Sequence, residues 1–565
     1  MAPLKVLLTT LTATMLTAVS ADTTISGTFN WTALTPTTKL DWVPCYEAKE
    51  CARFERPMDP TDPSNTEQVA LAVLRSPAQV PRSYPRYGGH IFMNPGGPGG
   101  SGVGILRWGG YEMQTKIAGP QYFDLISWDP RGVGSSTPLP ECFQNDLQRQ
   151  QYWIKQEVVG GINTSPYALQ YGLAASEAFG QSCNSTIMRY MTTLATVQDM
   201  VAIADALEPN VTEPLINYWG ISYGTFLGNT FASLYPHRLN RTVLDGVLGT
   251  TDYLSSAWHL GLVNTSDIYD HFLQLCYNVG PDDCAIWDNS TDAIRDKIDN
   301  LLNQLDTSPI PVWNQTGHPA DVLQAQTVRT SIFQDMYFPP IQWPGLAKTL
   351  HDLMQDPPNT TLAAASMFTL RNPDTPLASE IITPSNNSWS NPNVAVPLIN
   401  NDDSAHIIAC TDGNPINDWT TADAQNYLDE IDAYFPLAAY TWPQTSTTCM
   451  RWPTSKRAPE HMRFTGPFGS NLSSYSEGAS PILFIGNQVD AVCPLREAQE
   501  EGAKHEGSVV LQTEIYGHSS NVLNSNECVW GYYKQYWQTG QLPAEGVVCP
   551  RDPWAWEPDP PKRGK

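Results

Sequence analysis

The sequence predicts an α/β protein: a mostly parallel, doubly wound sheet interrupted by a large, mainly helical insertion. Two observations carry this. Short apolar runs rich in Val, Ile, Leu, Phe and Trp alternate with a stretch of helical spacing, the pattern of strands buried on both faces and joined by helices. One long stretch, 253–477, breaks that rhythm and is rich in Pro, Trp, Asn and Asp.

Taken in chain order, residues 1–21 (MAPLKVLLTTLTATMLTAVSA) hold one positive charge at Lys5, an apolar stretch from Val6 to Val19 and small residues at Ala18, Ser20 and Ala21. That is the pattern of a cleavable secretory signal peptide. A membrane anchor needs about 20 predominantly apolar residues, and threonines interrupt this shorter stretch. A secreted protein without a membrane anchor is therefore expected.

The 565 residues exceed the roughly 250–300 at which a single core stops growing, so the chain needs a large insertion or two domains. Residues 22–252 read as the first part of the core. Glu67–Pro77 alternates like a half-buried strand, and His90–Asn94, Phe123–Asp129, Leu215–Gly220 and Arg241–Gly246 follow as apolar strands. Between the third and fourth of these five, Ala195–Leu207 has helical spacing. Residues 253–477 read as a lid inserted between sheet strands, with helix-like pieces at Ala293–Leu305 and Ala422–Tyr434. The core resumes over 478–550 with strands at Pro481–Gly486 and Ser508–Tyr516, and 551–565, dense in Pro and charge, reads as a flexible tail.

Charge and cysteines narrow the class. With 32 basic and 57 acidic residues the net charge is −25, which disfavours nucleic acid or an anionic membrane surface as partner. The eleven cysteines should mostly pair in an oxidising compartment. Chain neighbours give Cys45–Cys51, Cys142–Cys183, Cys276–Cys284, Cys410–Cys449 and Cys528–Cys549, and leave Cys493 over; sequence does not determine connectivity. No CxxC pair or Cys/His cluster marks a structural metal site. Asn-x-Ser/Thr acceptors at Asn30, Asn163, Asn184, Asn210, Asn240, Asn264, Asn289, Asn314, Asn359, Asn386 and Asn471 point to N-linked glycans.

Gly220-Ile221-Ser222-Tyr223-Gly224 lies between a strand run (LINYW) and a helical run (TFLGNTFASLY). A serine on so tight a strand-to-helix turn needs small residues two before and two after it, and its Oγ then stands at a helix N-terminus as an exposed nucleophile. Such a serine needs a base to take its proton and an acid to orient that base, in the order Ser, Asp or Glu, His. Asp490 follows the strand PILFIG and His518 follows the strand ending at Tyr516, both at carboxyl ends, where such sheets gather functional groups. Asp245, after the strand RTVL, competes for the role of acid, but the element after Asp490 leads directly to His518.

The loop Asn94-Pro95-Gly96-Gly97-Pro98-Gly99-Gly100-Ser101-Gly102 directly follows another strand. Its glycines let the backbone approach a ligand, so the expected oxyanion donors are the N–H groups of Gly97 and Tyr223. The same loop matches a dinucleotide fingerprint, with Asp124 downstream. Pro98 removes a donor there, and a nicotinamide would leave Ser222, Asp490 and His518 unexplained. No cofactor is expected.

These pieces, with Asp129-Pro-Arg-Gly-Val-Gly134, Leu244-Asp-Gly-Val247, Asp490-Ala-Val-Cys-Pro494, Gly517-His518 and Gly540-Gln-Leu-Pro543, resemble the secreted tripeptidyl aminopeptidases within the prolyl-aminopeptidase group of serine peptidases. The resemblance runs from Trp42 to Cys549. It implies the α/β-hydrolase fold and release of di- or tripeptides from free N-termini under a helical lid whose carboxylates hold the substrate ammonium. Asp412 looks like such a carboxylate; Asp402 and Asp403 compete with it. Cys493 stands where relatives often carry threonine, and a free thiol there implies sensitivity to thiol reagents. A secreted esterase with the same triad is the alternative, because lids diverge while triads persist.

Overall fold

The computed structural model describes residues 29–159, 161–313, 321–366, 401–520, 526–551 and 556. The expected signal segment, the acceptors Asn314 and Asn386, and nearly all of the expected tail lie outside these residues, as does the side chain of Asp402.

The first half of the sheet is built from β1 (Val43–Cys45), β2 (Lys49–Pro57), β3 (Gln68–Ser76), β4 (Tyr87–Asn94), β5 (Tyr122–Trp128), β6 (Ile216–Ile221) and β7 (Leu239–Asp245). A separate two-stranded ribbon, β8 (Ile310–Val312) and β9 (Asp321–Leu323), sits in the inserted region, and β10 (Leu483–Val489), β11 (Val509–Tyr516) and β12 (Val548–Cys549) complete the sheet. The ten strands run β1-β2-β3-β5-β4-β6-β7-β10-β11-β12. From β5 onward every neighbouring pair is parallel, and β1 to β3 extend the sheet antiparallel. Every expected strand is present. The antiparallel β1 and β2 were missed, because Lys49-Glu-Cys-Ala-Arg-Phe-Glu-Arg carries too many charges to read as apolar.

Helices cover both faces. Helix α1 (Gly102–Ile117) and the helix Glu527–Thr539 pack on one face, through Leu106, Ile117, Trp530, Tyr533 and Trp537. Later in the chain, α4 (Thr193–Leu207) and α5 (Tyr223–Leu234) pack on the other through Met200, Ile203, Phe226 and Phe231. The start of α4 is set by Thr192, whose Oγ1 accepts from Ala195 N at 3.1 Å, satisfying one of the donors that a helix start leaves open. The central strand β6 is buried at all six positions, as a parallel strand between two helical layers must be.

The helices beyond the two layers on the sheet come from two segments. The long segment after β7 supplies helices including Thr265–Val279, Thr291–Thr307, Ala325–Asp335, Asn401–Asp412, Thr421–Tyr434 and Gln444–Met450. A second excursion between β5 and α4 adds α2 (Asp146–Val158) and α3 (Pro166–Ser182), which the sequence reading left inside the core. Asp403 ties the two together: its carboxylate accepts from Arg149 Nε at 2.7 Å and Trp153 Nε1 at 2.9 Å.

All five expected bridges are present and Cys493 is free. Cys142–Cys183 closes the base of the α2–α3 excursion, and Cys410–Cys449 links two helices of the main insertion. Trp556, within the stretch read as tail, is buried, stacks on Phe272 and donates to Asp283 O at 2.8 Å.

Candidate active site

Ser222 occupies the sharp turn between β6 and α5 with φ 56° and ψ −127°, a left-sided conformation that costs a non-glycine residue about 1–3 kcal/mol. Tight contacts impose it. A Cβ on Gly220 would stand 2.2 Å from Gly224 O, and one on Gly224 would stand 2.7 Å from Asn94 O. Ser222 occupies the N-cap position of α5 but makes no side-chain cap hydrogen bond, which leaves Oγ uncommitted. Its N–H donates to Asp245 O at 3.0 Å.

His518 stands after β11. Its Nδ1 lies 3.0 and 3.1 Å from the two oxygens of Asp490, which follows β10. Asp490 is fully buried and accepts further from Val492 N, Cys493 N and Ser519 N, each at 2.9 Å. Burial works against a charged imidazole, but the charge and hydrogen bond of Asp490, with the charge of Asp245, outweigh it and raise the His518 pKa above its ordinary value. Asp245, the competing acid, makes no hydrogen bond to His518 among the described residues; it accepts from Ser520 N and Oγ at 2.8 Å and Tyr533 Oη at 2.6 Å, holding the residues just past His518. The lid reaches the same loop, since His518 N donates to Tyr337 O at 2.9 Å.

The glycine loop presses on the Ser222 turn. A Cβ on Gly96 would meet Ile221 O at 2.6 Å and Ser222 Cβ at 2.8 Å, so only glycine allows this approach. Asp129 anchors the loop from behind, accepting from Ser101 Oγ at 2.6 Å and Val103 N at 3.0 Å. Tyr223 N belongs to the first turn of α5, where a backbone N–H has no intrahelical acceptor.

Ser222, His518 and Gly97 line one cavity of about 500 Å3, walled by Ile105, Met113, Trp258, Tyr337, Phe338 and Trp442 among others. Asp412 is not in this wall. Its carboxylate is buried behind Tyr223, accepting from Thr193 N at 2.9 Å, Thr193 Oγ1 at 2.7 Å and Tyr253 Oη at 3.0 Å. Thr193 Oγ1 also contacts Tyr223 Oη at 2.5 Å. Asp403 is likewise spent on Arg149 and Trp153. Asp252, in the short helix Thr250–Ser255, is the one carboxylate in the cavity wall among the described residues. It is 3 % exposed and accepts from Leu260 N at 3.2 Å and Gly261 N at 3.1 Å. Sequence reading passed over it, because an aspartate in the first turn of a helix is ordinary.

Family comparisons agree with this architecture. The α/β hydrolase fold family matches residues 89–279 and the TAP-like protein family matches 435–549. A tripeptidyl aminopeptidase of Streptomyces lividans is 26% identical over 519 residues, covering 90% of this chain and 86% of the relative. The chain is a serine hydrolase of the α/β-hydrolase superfamily, similar over 90% of its length to that tripeptidyl aminopeptidase. The serine protease Hip1 of Mycobacterium tuberculosis is 23% identical over 527 residues, 90% of this chain and 91% of that protein. Carboxylesterase B of the same organism is 41% identical over 95 residues, 16% of each chain.

Proposed function

We propose that this hydrolase is a secreted serine aminopeptidase that releases di- or tripeptides from free N-termini. Ser222 is the nucleophile, His518 the base, Asp490 the orienting acid, and the N–H groups of Gly97 and Tyr223 the oxyanion donors. As Ser222 Oγ attacks the scissile carbonyl, His518 takes its proton, and the negative oxygen is held by the two N–H groups. Collapse expels the remaining peptide as an amine that takes the proton from His518, and water then cleaves the acyl-enzyme by the same route. Every group required belongs to the chain, and no cofactor is called for.

One observation carries the exopeptidase reading: beyond Ser222, His518, Ser519 and Cys493, the cavity wall is apolar and aromatic and holds, among the described residues, a single carboxylate, Asp252. A substrate ammonium leaving water needs an anionic partner, and Asp252 takes the role first expected of Asp412. The homologous tripeptidyl aminopeptidase supports the same reading. Secretion is supported by the five disulfides. Glycosylation is supported by the surface positions of the described acceptors: Asn30, Asn184, Asn210, Asn289, Asn359 and Asn471 are exposed, and Asn163, Asn240 and Asn264 are partly so.

Peptides with free and with acetylated N-termini test the reading. Cleavage confined to the free set is the expected result, and equal cleavage of both would sink it. The second reading, an esterase with the same triad, is favoured by the carboxylesterase match; it predicts turnover of simple esters that is indifferent to an amino group.

A further inference from the structure

Cys493 lies outside every disulfide and lines the cavity that holds Ser222 and His518. One ligand atom from each of Asp490, Cys493 and His518 lies within 4.8 Å of the other two, and all three residues are buried. Thiolate, imidazole and carboxylate together make a donor set for Zn2+ and softer ions, whereas Mg2+ and Ca2+ favour oxygen ligands. Bonds of about 2.0–2.3 Å around a tetrahedral ion hold its ligand atoms about 3.3–3.8 Å apart, so binding draws the three groups inward from their present spread and replaces the hydrogen bond between His518 and Asp490. The adjoining cavity supplies both an entry path and room for a water as fourth ligand.

We propose that Asp490, Cys493 and His518 form an inhibitory binding site for Zn2+ and Cd2+ at the heart of the catalytic machinery. On binding, the thiol proton passes to solvent and the ion takes a lone pair of the imidazole. Asp490 faces Nδ1, so the ion takes the Nδ1 lone pair in place of the hydrogen bond to Asp490, and the ring proton moves to Nε2. His518 then has no lone pair left to accept the Ser222 proton, hydrolysis stops, and a chelator restores it. The effect on rate rests on the reading of His518 as base; the binding of the ion does not.

Two measurements on the full secreted chain test this. In the first, hydrolysis is followed under ZnCl2, CdCl2 and MgCl2, each rate divided by the same variant's metal-free rate. Zn2+ and Cd2+ inhibit the wild type reversibly and Mg2+ does not. Cys493→Ser weakens the inhibition by at least about 10- to 100-fold, the loss that even an outer-shell partner of a metal ligand brings. Equal inhibition of both proteins would overturn the site. In the second, Cd2+ is added to Ser222→Ala and the ultraviolet thiolate-to-metal band is read, with Ser222→Ala/Cys493→Ser as comparison. The band is expected only in the former, and its absence there overturns the metal site by itself. A band accompanied by full wild-type activity in saturating Zn2+ overturns the inhibition together with His518 as base, so the two failures are told apart.

Discussion

At the carboxyl edge of the sheet, Asp490 has both oxygens filled by three backbone N–H groups and the His518 ring. In the lid, Asp412 has both oxygens filled by Thr193 and Tyr253. Both are buried aspartates with complete hydrogen bonding, yet their partners differ in kind. Asp490 faces a ring that exchanges protons and opens on the cavity. Asp412 faces hydroxyls and a backbone N–H that hold α4, Tyr223 and the lid together. Burial and satisfaction alone therefore do not distinguish the two aspartates; what does is whether the bonded partner itself lines the cavity.

The sharpest way to break this contrast is to strip each region of its key group. Ser222→Ala should lower kcat by about 10^4- to 10^6-fold with little change in thermal midpoint, and fluorophosphonate labelling should vanish. Asp490→Asn should cost about 10^4-fold in kcat, because the imidazole loses its oriented tautomer. Asp252→Asn should lower kcat/KM on free N-terminal peptides by about 10- to 100-fold, the worth of a hydrogen-bonded charge, while simple esters are nearly unaffected. Asp412→Asn should leave kcat within a few-fold and instead lower stability by about 1–3 kcal/mol, the cost of a disrupted buried hydrogen bond. If Asp412→Asn matched Asp490→Asn in kcat, the two regions would not differ as described.

The smallest effect expected is on stability against pH. Burial raises Asp412 to about 6 and Asp335 to about 7, and burial with the charge of Asp252 raises Glu497 to about 8. Between their ordinary acidic values and these raised ones, the folded protein binds more protons than the unfolded chain, so stability falls as pH rises through that window. His518 adds the same sign: its contribution is full below the ordinary histidine value and is lost as pH rises through the raised one. Asp59 and Asp124 act oppositely. Despite burial they are held at about 2, Asp59 by hydrogen bonds from Thr61 and His461 and Asp124 by those from His90 and Ala78, and their contribution is lost as pH falls below about 4. Thermal midpoints should therefore peak near pH 4–5 and decline toward pH 8; a midpoint rising steadily to pH 8 would contradict the assignment.

Much of this was legible before any coordinates. The turn at Ser222 is a local matter: Gly220 and Gly224 are the residues whose missing Cβ atoms let β6 double back into α5, and they stand two before and two after the serine. The positions of Asp490 and His518 follow from strand ends, because a parallel sheet presents all its carboxyl ends on one edge. The disulfides pair neighbours along the chain, so they too could be read. The packing of α2–α3 on the inserted helices was not legible, since its helices look like any crossover helices until Arg149 and Trp153 are seen to meet Asp403, more than two hundred residues away. Asp402, Asp403 and Asp412 could not be told apart, and Asp252 was passed over, because only packing shows that Asp403 ties helices together and Asp412 braces Tyr223.

What the sequence determined by itself, then, was the apolar strands of the parallel sheet with β3, the strained serine turn and the edge of the sheet at which chemistry gathers. Those depend on side-chain periodicity and steric fit between residues a few positions apart. Only the tertiary structure decided which carboxylate faces the cavity and that the thiol of Cys493 stands beside Asp490 and His518. Those outcomes depend on how segments hundreds of residues apart pack against one another, and no local propensity encodes the direction in which a buried side chain then points.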